Sequence, residues 1–344
     1  MWFMSSAVLA LSTSIILTAS NGQADLKNLK ENFNEELKIA KRYLCKELAF
    51  TSGNQRQSLC YERHLRFNQL NAMIRSNNAS PNSSVALRFY PESLLSGEEF
   101  QRMRTGYIPQ KITRVIPFRK RPTKRTAEEY LNYAEQGLVT PVKNQKECGA
   151  CYAFTALSVL GSAFLRKFGK TTDFSEQQGI DCTFSRYDVR MNRGCHGGHP
   201  YYVLLYAKTK QFVSQTNYRY HNRLQHCNIV EKAQTVSLRA GVVESDGSDE
   251  ALMQILRKMG PVSVAISVGD SDFKHYGGGI ITQCGTVPDH AVVLVGYRVS
   301  DDAEGSYWII KNSWGTKWGE NGFARIRMGA CNISEDRPVA VILK

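Results

Sequence analysis

Nine cysteines are spread through the 344 residues, and the way in which they pair limits the folds open to the chain. Residues 5–19 are apolar and uncharged, end in small polar residues, and are too few to span a membrane, which is typical of a secretory signal peptide. Cysteines of a secreted chain tend to pair, because the compartment is oxidising. Nine is odd, so at least one cysteine remains for an intermolecular link or as a reactive thiol.

The net charge is +13, and seven positive charges with no acid lie between Lys111 and Arg125. Such a run raises the question of nucleic-acid binding. Two prolines interrupt it, and Phe118 is its one aromatic residue, so it indicates a linker that proteases can cut. No later stretch approaches the ~18 apolar residues of a spanning helix. We therefore expect neither nucleic acid nor a membrane as a partner.

Apolar periodicity divides the chain into helical and sheet-rich parts. Leucine and phenylalanine recur at near-helical spacing in residues 24–50 and 61–77, and a shorter helix is expected at 96–103. Residues 151–169 are mostly apolar and end in two basic residues and a glycine, which predicts a buried helix with a glycine stop. From about residue 240 the period becomes two. Strands are predicted at 260–268, 290–297, 306–312 and 323–328, which makes the fold α+β.

Cys148 and Cys151 form a C-x-x-C pair, which suits three kinds of chemistry. A redox pair needs a preceding strand in a βαβ unit, and the residues before Cys148 are turn-rich instead. A zinc site could add Cys195, His196 and His199, but these lie more than 40 residues away, beyond the long apolar helix.

In the third interpretation Cys151 is a nucleophile. The thiolate is the reactive form, and a helix start lowers the pKa of a cysteine, because the positive end of the helix dipole favours the anion. A histidine must then take the proton, and another group must orient that histidine. Gln145, six residues upstream, could donate to a developing oxyanion beside the backbone N–H of Cys151.

The segment VTPVKNQKECGACYAF (139–154) resembles the active-site segment of papain-family cysteine peptidases, and of cathepsin L-like members in particular. DHAVVLVGY (289–297) resembles the family's histidine strand, and YWIIKNSWGTKWGENGFARI (307–326) its asparagine segment. FSEQQGIDC (174–182) and GCHGG (194–198) complete the pattern in family order. The resemblance implies a papain-like, two-lobed α+β fold, with a helical lobe, a β-barrel-like lobe and the active-site cleft between them.

Carried over by position, the resemblance makes Cys151 the nucleophile and His290 the general base and then acid. It implies that Asn312 holds the imidazole, that Trp314 shields this hydrogen bond from water, and that Gln145 completes the oxyanion hole. These residue types favour a cysteine endopeptidase acting through an acyl-enzyme. The alternative is a catalytically silent homologue that acts as a binding protein. Tyr152 departs from the family, which prefers tryptophan there.

The resemblance also implies which residues contact a peptide substrate. Two glycines would bond its backbone, and several side chains would line the pocket for the second residue before the scissile bond. An acid at the pocket floor, Asp336 or alternatively Glu335, would accept Arg or Lys as well as apolar side chains. The two glycines are Gly197 and Gly198, and the residues of the pocket wall are His199, Pro200, Ala265 and Pro288. Asp289 and Trp314 are the other expected substrate contacts.

All nine cysteines are accounted for in this interpretation. The resemblance implies the disulfides Cys148–Cys195, Cys182–Cys227 and Cys284–Cys331, with Cys151 as the free thiol. Cys45 and Cys60 form a further candidate pair. Glycosylation sequons occur at Asn78, Asn82 and Asn332. The resemblance implies no metal and no cofactor.

The expected organisation is a signal peptide (1–24), an inhibitory, mainly helical pro-region (25–125) with a basic processing linker (111–125), and a papain-like peptidase domain (126–344). Maturation is expected after Arg121 or Arg125. The expected partners are protein and peptide substrates, the chain's own pro-region and cystatin-type inhibitors. We expect a monomer in the secretory pathway, extracellular or lysosomal. The chain lacks the His-His loop that blocks the cleft in dipeptidase members, which favours an endopeptidase.

Overall fold

A computed structural model describes residues 53–121, 128–188, 191–228, 238–269 and 272–343. The helices are α1 (Gly53–Ala79), α2 (Gly97–Arg104), α3 (Cys151–Phe168), α4 (Glu176–Cys182), α5 (Pro200–Thr209) and α6 (Asp249–Met259), with 3₁₀ turns at Pro91–Leu94 and Asp272–His275. The predicted signal peptide and the predicted helix at 24–50 lie outside the described residues. Among the described residues, no helix has both the length and the apolar character needed to cross a membrane.

Ten strands form one mixed sheet in the described part of the chain. The strands are β1 (Val85–Leu87), β2 (Val115–Ile116), β3 (Glu129–Asn132), β4 (Leu238–Val243), β5 (Val262–Ile266), β6 (Tyr276–Ile281), β7 (His290–Val299), β8 (Tyr307–Lys311), β9 (Phe323–Arg327) and β10 (Val339–Leu343). Their order in the sheet is β1-β6-β9-β8-β7-β5-β10-β4-β2, and β3 pairs with β7.

The expected α+β fold is confirmed, with the detail that the described strands follow an open path and close no barrel. Both ends of this path come from the residues before 122: β1 pairs antiparallel with β6, and β2 pairs parallel with β4. We call residues 53–121 the N-terminal segment. Its strands therefore extend the sheet at the two edges that a barrel would have to join.

Helix α3 packs through the middle of the molecule. Its first twelve residues are all buried, as expected of an apolar stretch, and Arg166 and Lys167 lie in its last turn. Gly169 ends the helix with a φ of 65°, a left-handed conformation that glycine adopts at little cost. The predicted buried helix with a glycine stop is confirmed, and it places Cys151 at the N-terminal end.

The N-terminal segment is held to the rest of the molecule by buried aromatic contacts. The Tyr90 hydroxyl donates to the Tyr276 carbonyl (2.7 Å) and accepts from the Gly319 N–H (3.0 Å). The Phe100 ring meets the edge of Trp314, with 5.2 Å between the ring centroids. Phe100 comes from α2, so this helix lies directly against the residues that follow β8.

Candidate active site

Cys151 is the first residue of α3, and it is buried. The loop before it is braced by the Cys148–Cys195 disulfide and by a hydrogen bond from the Gly149 N–H to the Cys195 carbonyl (3.1 Å). Because the sulfur of Cys148 is bonded to Cys195, it pairs with Cys151 neither as a redox couple nor as a zinc ligand. Among the described cysteines, Cys151 alone has a free thiol.

His290 opens β7, and Asn312 follows the last residue of β8, so the antiparallel pairing of these strands brings the two side chains together. The Nε2 atom of His290 lies 2.8 Å from Oδ1 of Asn312. This oxygen also accepts from the Ser313 N–H (2.8 Å), so the imidazole donates from Nε2. The Nδ1 atom therefore carries the lone pair, and it has no hydrogen-bond partner among the described residues.

The Cys151 thiol lies beside the first residues of β7. The backbone N–H of Ala291 points at Sγ of Cys151 across 3.4 Å. The ring of Trp314 lies against that of His290, with 4.9 Å between the centroids and 34° between the planes. Trp314 is itself buried, so the bond between His290 and Asn312 is covered on this side by an aromatic ring.

The side-chain amide of Gln145 is buried and held in one orientation. Its Oε1 atom accepts a hydrogen bond from the Ser313 hydroxyl (2.6 Å), which leaves Nε2 as the group that faces the cleft. Nε2 donates to the carbonyl of Cys148 (3.0 Å) and, at 3.4 Å, to the carbonyl of Thr105. A residue of the N-terminal segment therefore meets the amide donor.

Burial governs protonation at the site. It raises the pKa of the Cys151 thiol to about 12, although the N–H of Ala291 acts in the opposite direction. Burial also lowers the pKa of His290 to about 4, although its bond to Asn312 acts in the opposite direction. Near neutral pH both groups are uncharged. The sequence predicted a lowered thiol pKa at a helix start, and the difference arises because the desolvation outweighs the favourable backbone N–H groups.

The N-terminal segment crosses the site between Asp289 and Gly198, and its Tyr107 packs against Cys151. The indole N–H of Trp314 donates to the carbonyl of Arg104 (2.9 Å), and the N–H groups of Gly106 and Tyr107 both reach the carbonyl of Asp289 (3.1 and 2.9 Å). The backbone of Gly198 bonds to the two residues that flank Tyr107. Its N–H donates to the Gly106 carbonyl, and its carbonyl accepts from the Ile108 N–H.

The two predicted backbone-binding glycines occupy crowded positions. A Cβ atom on Gly197 (φ 102°) would lie 2.9 Å from the carbonyl oxygen of Gly106. A Cβ atom on Gly198 would lie 2.3 Å from Oδ1 of Asn192. The close approach of an extended chain therefore requires glycine at Gly197, and local packing requires it at Gly198.

The Tyr107 side chain fills the pocket beside the cleft. It packs in a buried cluster with Cys151, Ala265 and Ala291. Its hydroxyl donates to Oδ2 of Asp336 and lies 3.3 Å from Nε2 of His199. Asp336 is thus the acid at the pocket end.

The other predicted substrate residues have different surroundings. Glu335 is exposed and accepts from the side chain of Asn332 (2.6 Å), outside the pocket. The carboxylate of Asp289 accepts from the N–H groups of Val268 and Gly269, so only its backbone carbonyl meets the N-terminal segment. Pro200 is the first residue of α5 and is buried, and Pro288 is half-buried.

The disulfides Cys148–Cys195, Cys182–Cys227 and Cys284–Cys331 are present, in the pairing that the resemblance implied. The candidate pair Cys45–Cys60 includes Cys45, which lies outside the described residues. The structure disfavours a glycan on Asn78, because its side-chain amide donates to the Leu87 carbonyl and accepts from the Leu87 N–H.

The sequence analysis did not identify Ser313 or Tyr107 as site residues. Ser313 directly follows the predicted Asn312, and a hydroxyl at that place was a usable signal. Tyr107 carried no such signal, because its contacts to His199 and Asp336 join positions 92 and 229 residues apart. Tyr152 also has a role that the sequence left open: its hydroxyl donates to the Gly194 carbonyl (2.9 Å) in the buried interior.

Comparison with known proteins shows which family the chain belongs to. The profile described as "Papain family cysteine protease" matches residues 127–341. The chain is 35% identical to "Thiol protease aleurain-like" of Arabidopsis thaliana over 265 residues, which cover 75% of this chain and 71% of that protein. It is 34% identical to human "Cathepsin L2" over 238 residues, which cover 67% and 70% of the two chains.

The fold comparison extends through the N-terminal segment. The structure of "Recombinant stem bromelain precursor" covers 92% of this chain and 99% of its own, with a TM-score of 0.72 at 25% identity. The family profile spans well over half of this chain, and the relatives include thiol proteases. The chain is a cysteine peptidase, close to cathepsin L-like proteases, and it belongs to the papain family of cysteine proteases.

Proposed function

We propose that the chain is the proenzyme of a cysteine endopeptidase, in which Cys151 attacks the peptide carbonyl of a protein substrate. The observation that carries this proposal is the 2.8 Å bond between His290 and Asn312 beside the free thiol. That bond puts the imidazole proton on Nε2 and leaves Nδ1 of His290 as the base. Asn312 orients the ring, and Trp314 keeps water from their hydrogen bond.

In the first half-reaction Nδ1 of His290 takes the thiol proton, and the sulfur forms a bond to the carbonyl carbon. The carbonyl oxygen becomes an oxyanion, which accepts from the side-chain amide of Gln145 and the backbone N–H of Cys151. The imidazolium of His290 then protonates the leaving amine, and the C–N bond breaks. A thioester to Cys151 remains.

In the second half-reaction a water molecule replaces the amine. His290 takes a proton from this water, the hydroxide adds to the thioester carbon, and the bond to sulfur breaks. The products are a peptide acid and the regenerated thiol and imidazole. No cofactor or metal takes part in this sequence of steps.

The N-terminal segment acts as an inhibitory pro-region in this proposal. Three features support the role: Thr105 bonds to the amide donor of Gln145, Gly198 is paired with the segment, and Tyr107 fills the pocket. Each group that a substrate would use is thereby engaged. Burial also keeps the thiol protonated, so the nucleophile is inactive as well as covered.

Activation then requires cleavage in the basic linker. Arg121 is exposed, and its backbone is held by the side-chain amide of Gln254 through two hydrogen bonds. Arg125, the other proposed site, lies outside the described residues, as does the proposed signal peptide. We place the protein in the secretory pathway, extracellular or lysosomal. N-terminal sequencing of the secreted form should find a start within residues 118–128.

The experiment that tests the proposed activity is labelling of the acid-treated full chain with an epoxide thiol inhibitor. We expect one modification, at Cys151, together with hydrolysis of peptide substrates. Cys151→Ser should remove both while the full chain keeps its thermal denaturation midpoint to within a few degrees. A processed, folded form that neither reacts nor cleaves would instead identify a catalytically silent homologue.

A further inference from the structure

The pocket that holds Tyr107 ends in one hydrogen-bond donor and one acceptor. The N–H of Tyr201 donates to Nδ1 of His199 across 3.2 Å, so Nδ1 carries no proton. His199 is buried, and burial lowers its pKa to about 4. Near neutral pH the neutral ring therefore has its proton on Nε2, the atom that faces the pocket.

The hydroxyl of Tyr107 uses both groups. It accepts from Nε2–H of His199 (3.3 Å) and donates to Oδ2 of Asp336. The tyrosine ring lies beside the imidazole, with 5.3 Å between the centroids. Ala265 supplies a small side chain at the pocket wall, which leaves width for an aromatic ring.

A hydroxyl fits this pair of groups better than an ammonium or guanidinium group would. Lys and Arg side chains carry donors only, so they could use Asp336 but would turn N–H groups towards Nε2–H of His199. A phenylalanine would leave the buried Nε2–H of His199 without a partner and would remove the donor to Oδ2 of the half-buried Asp336, which is costly. The sequence predicted an acid that accepts basic side chains, and the donor on His199 changes which side chain fits best.

We propose that His199 and Asp336 together select tyrosine as the second residue before the scissile bond. This inference rests on the proposed peptidase function and names its substrate preference. Backbone groups of Gly198 lie on either side of Tyr107, so they can hold an extended substrate with a tyrosine at the same place. In the proenzyme, Tyr107 then occupies the pocket as a stand-in for the substrate side chain.

The test compares peptides that differ only at this position, carrying Tyr, Phe, Leu or Arg, with the activated form of the full chain. The expected kcat/KM for the Tyr peptide exceeds that for the Phe peptide by about tenfold or more, because the phenylalanine forfeits two hydrogen bonds. Equal values, or a preference for Phe or Arg, would overturn the inference.

Two variants assign the effect to the pocket. Asp336→Ala removes the acceptor, and His199→Asn removes the donor while keeping a side chain that can cap α5. Both should lower the ratio of Tyr to Phe hydrolysis several-fold. The matched control is Glu335→Gln, which changes the neighbouring acid outside the pocket and should leave the ratio unchanged. An unchanged ratio in both pocket variants would also contradict the inference.

A second measurement keeps the inference separate from the proposed activity. In the full chain, Tyr107→Phe replaces tyrosine with phenylalanine in the same pocket, as the Tyr and Phe peptides do. It should lower the thermal midpoint by about 2 °C or more. In the Asp336→Ala background the same substitution should have a clearly smaller effect. If no peptide is hydrolysed, including the Leu peptide, the peptidase proposal fails. The double-mutant cycle of Tyr107→Phe and Asp336→Ala then still tests the pocket chemistry. Additive effects of the two substitutions on the thermal midpoint would overturn the inference.

Discussion

The hydroxyl of Ser313 donates a hydrogen bond to Oε1 of Gln145 across 2.6 Å, and both side chains are buried. This bond distinguishes the two ends of the amide, so that Nε2 faces the cleft. Without it the amide could rotate and turn its oxygen towards the developing oxyanion. Ser313 is therefore a positioning residue for the proposed oxyanion hole.

We expect Ser313→Ala to lower kcat by about tenfold while KM changes little, because the lost orientation matters only once the oxyanion forms. Gln145→Ala sets the scale, with an expected loss of about 10²–10³ in kcat. Steady-state kinetics on the activated form checks both. Ser313→Thr keeps the hydroxyl and should retain most of the rate. If Ser313→Thr lowered kcat as much as Ser313→Ala does, the positioning role would be contradicted.

The second prediction concerns the thiol in the intact chain. Burial raises the pKa of Cys151 to about 12, so very little thiolate exists near pH 7. Alkylation of the full chain by iodoacetamide should be at least about 10³-fold slower than that of the activated form. Tyr107→Ala, which empties the pocket next to Cys151, should speed labelling of the full chain. Equal rates before and after activation would show that the N-terminal segment does not silence the thiol.

The proximity of Cys151, His290 and Asn312 was predictable from sequence because each residue lies in a short motif with strong local structure. Cys151 begins an apolar helix, and His290 and Asn312 lie at the ends of strands that pair with each other. The pairing of two buried strands places their ends together with little freedom, because a slip in register would expose their apolar side chains.

The occupant of the pocket was not predictable in this way. Tyr107 lies in an extended stretch after α2, and its place depends on four backbone hydrogen bonds that join residues 106–108 to Asp289 and Gly198 rather than on local preference. The open path of the sheet was not predictable for a similar reason. Strand β2 has two residues, and its pairing with β4 is a long-range contact that no periodic pattern announces.

A third prediction concerns Tyr152, which replaces the family's tryptophan. Its buried hydroxyl donates to the Gly194 carbonyl across 2.9 Å, next to the braced loop that carries Cys195. Tyr152→Phe leaves that carbonyl without its partner and should lower the free energy of unfolding by about 1–3 kcal/mol. Denaturant titration of the full chain checks this. Tyr187→Phe, at a side chain that is 93% exposed, is the matched control and should change little.

The fourth prediction separates two neighbouring glycosylation sequons. Asn82 is exposed, whereas the amide of Asn78 forms two hydrogen bonds with the backbone of Leu87. A glycan on Asn78 would replace a hydrogen of the nitrogen that donates one of these bonds. Peptide mapping of the full chain, expressed in a eukaryotic secretory system, should find a glycan on Asn82 and an unmodified Asn78. Occupancy at Asn78 in the folded protein would contradict the assignment of these hydrogen bonds.

The last prediction concerns acid. His199, His275 and His290 are all buried, and burial lowers their pKa values from 6.5 to about 4, 3 and 4. Two of them contact the N-terminal segment: His199 lies beside Tyr107, and Nδ1 of His275 is hydrogen-bonded to the Ser93 hydroxyl (2.9 Å). Below pH 6.5 the unfolded chain, or a chain whose N-terminal segment has left, binds protons that the folded full chain does not.

The stability of the full chain should therefore be fully present above about pH 6.5 and fall as the pH drops towards 4, with release of the N-terminal segment. Thermal midpoints of the Cys151→Ser full chain between pH 7 and 4 measure this without self-cleavage. His275→Gln keeps a side chain that can hydrogen-bond to Ser93 but removes one titrating ring, so its midpoint should fall less steeply with acid. His196→Gln, at an exposed histidine, is the control and should follow the parent chain. If His275→Gln followed the parent curve as closely as the control does, the buried ring would not contribute to the acid response.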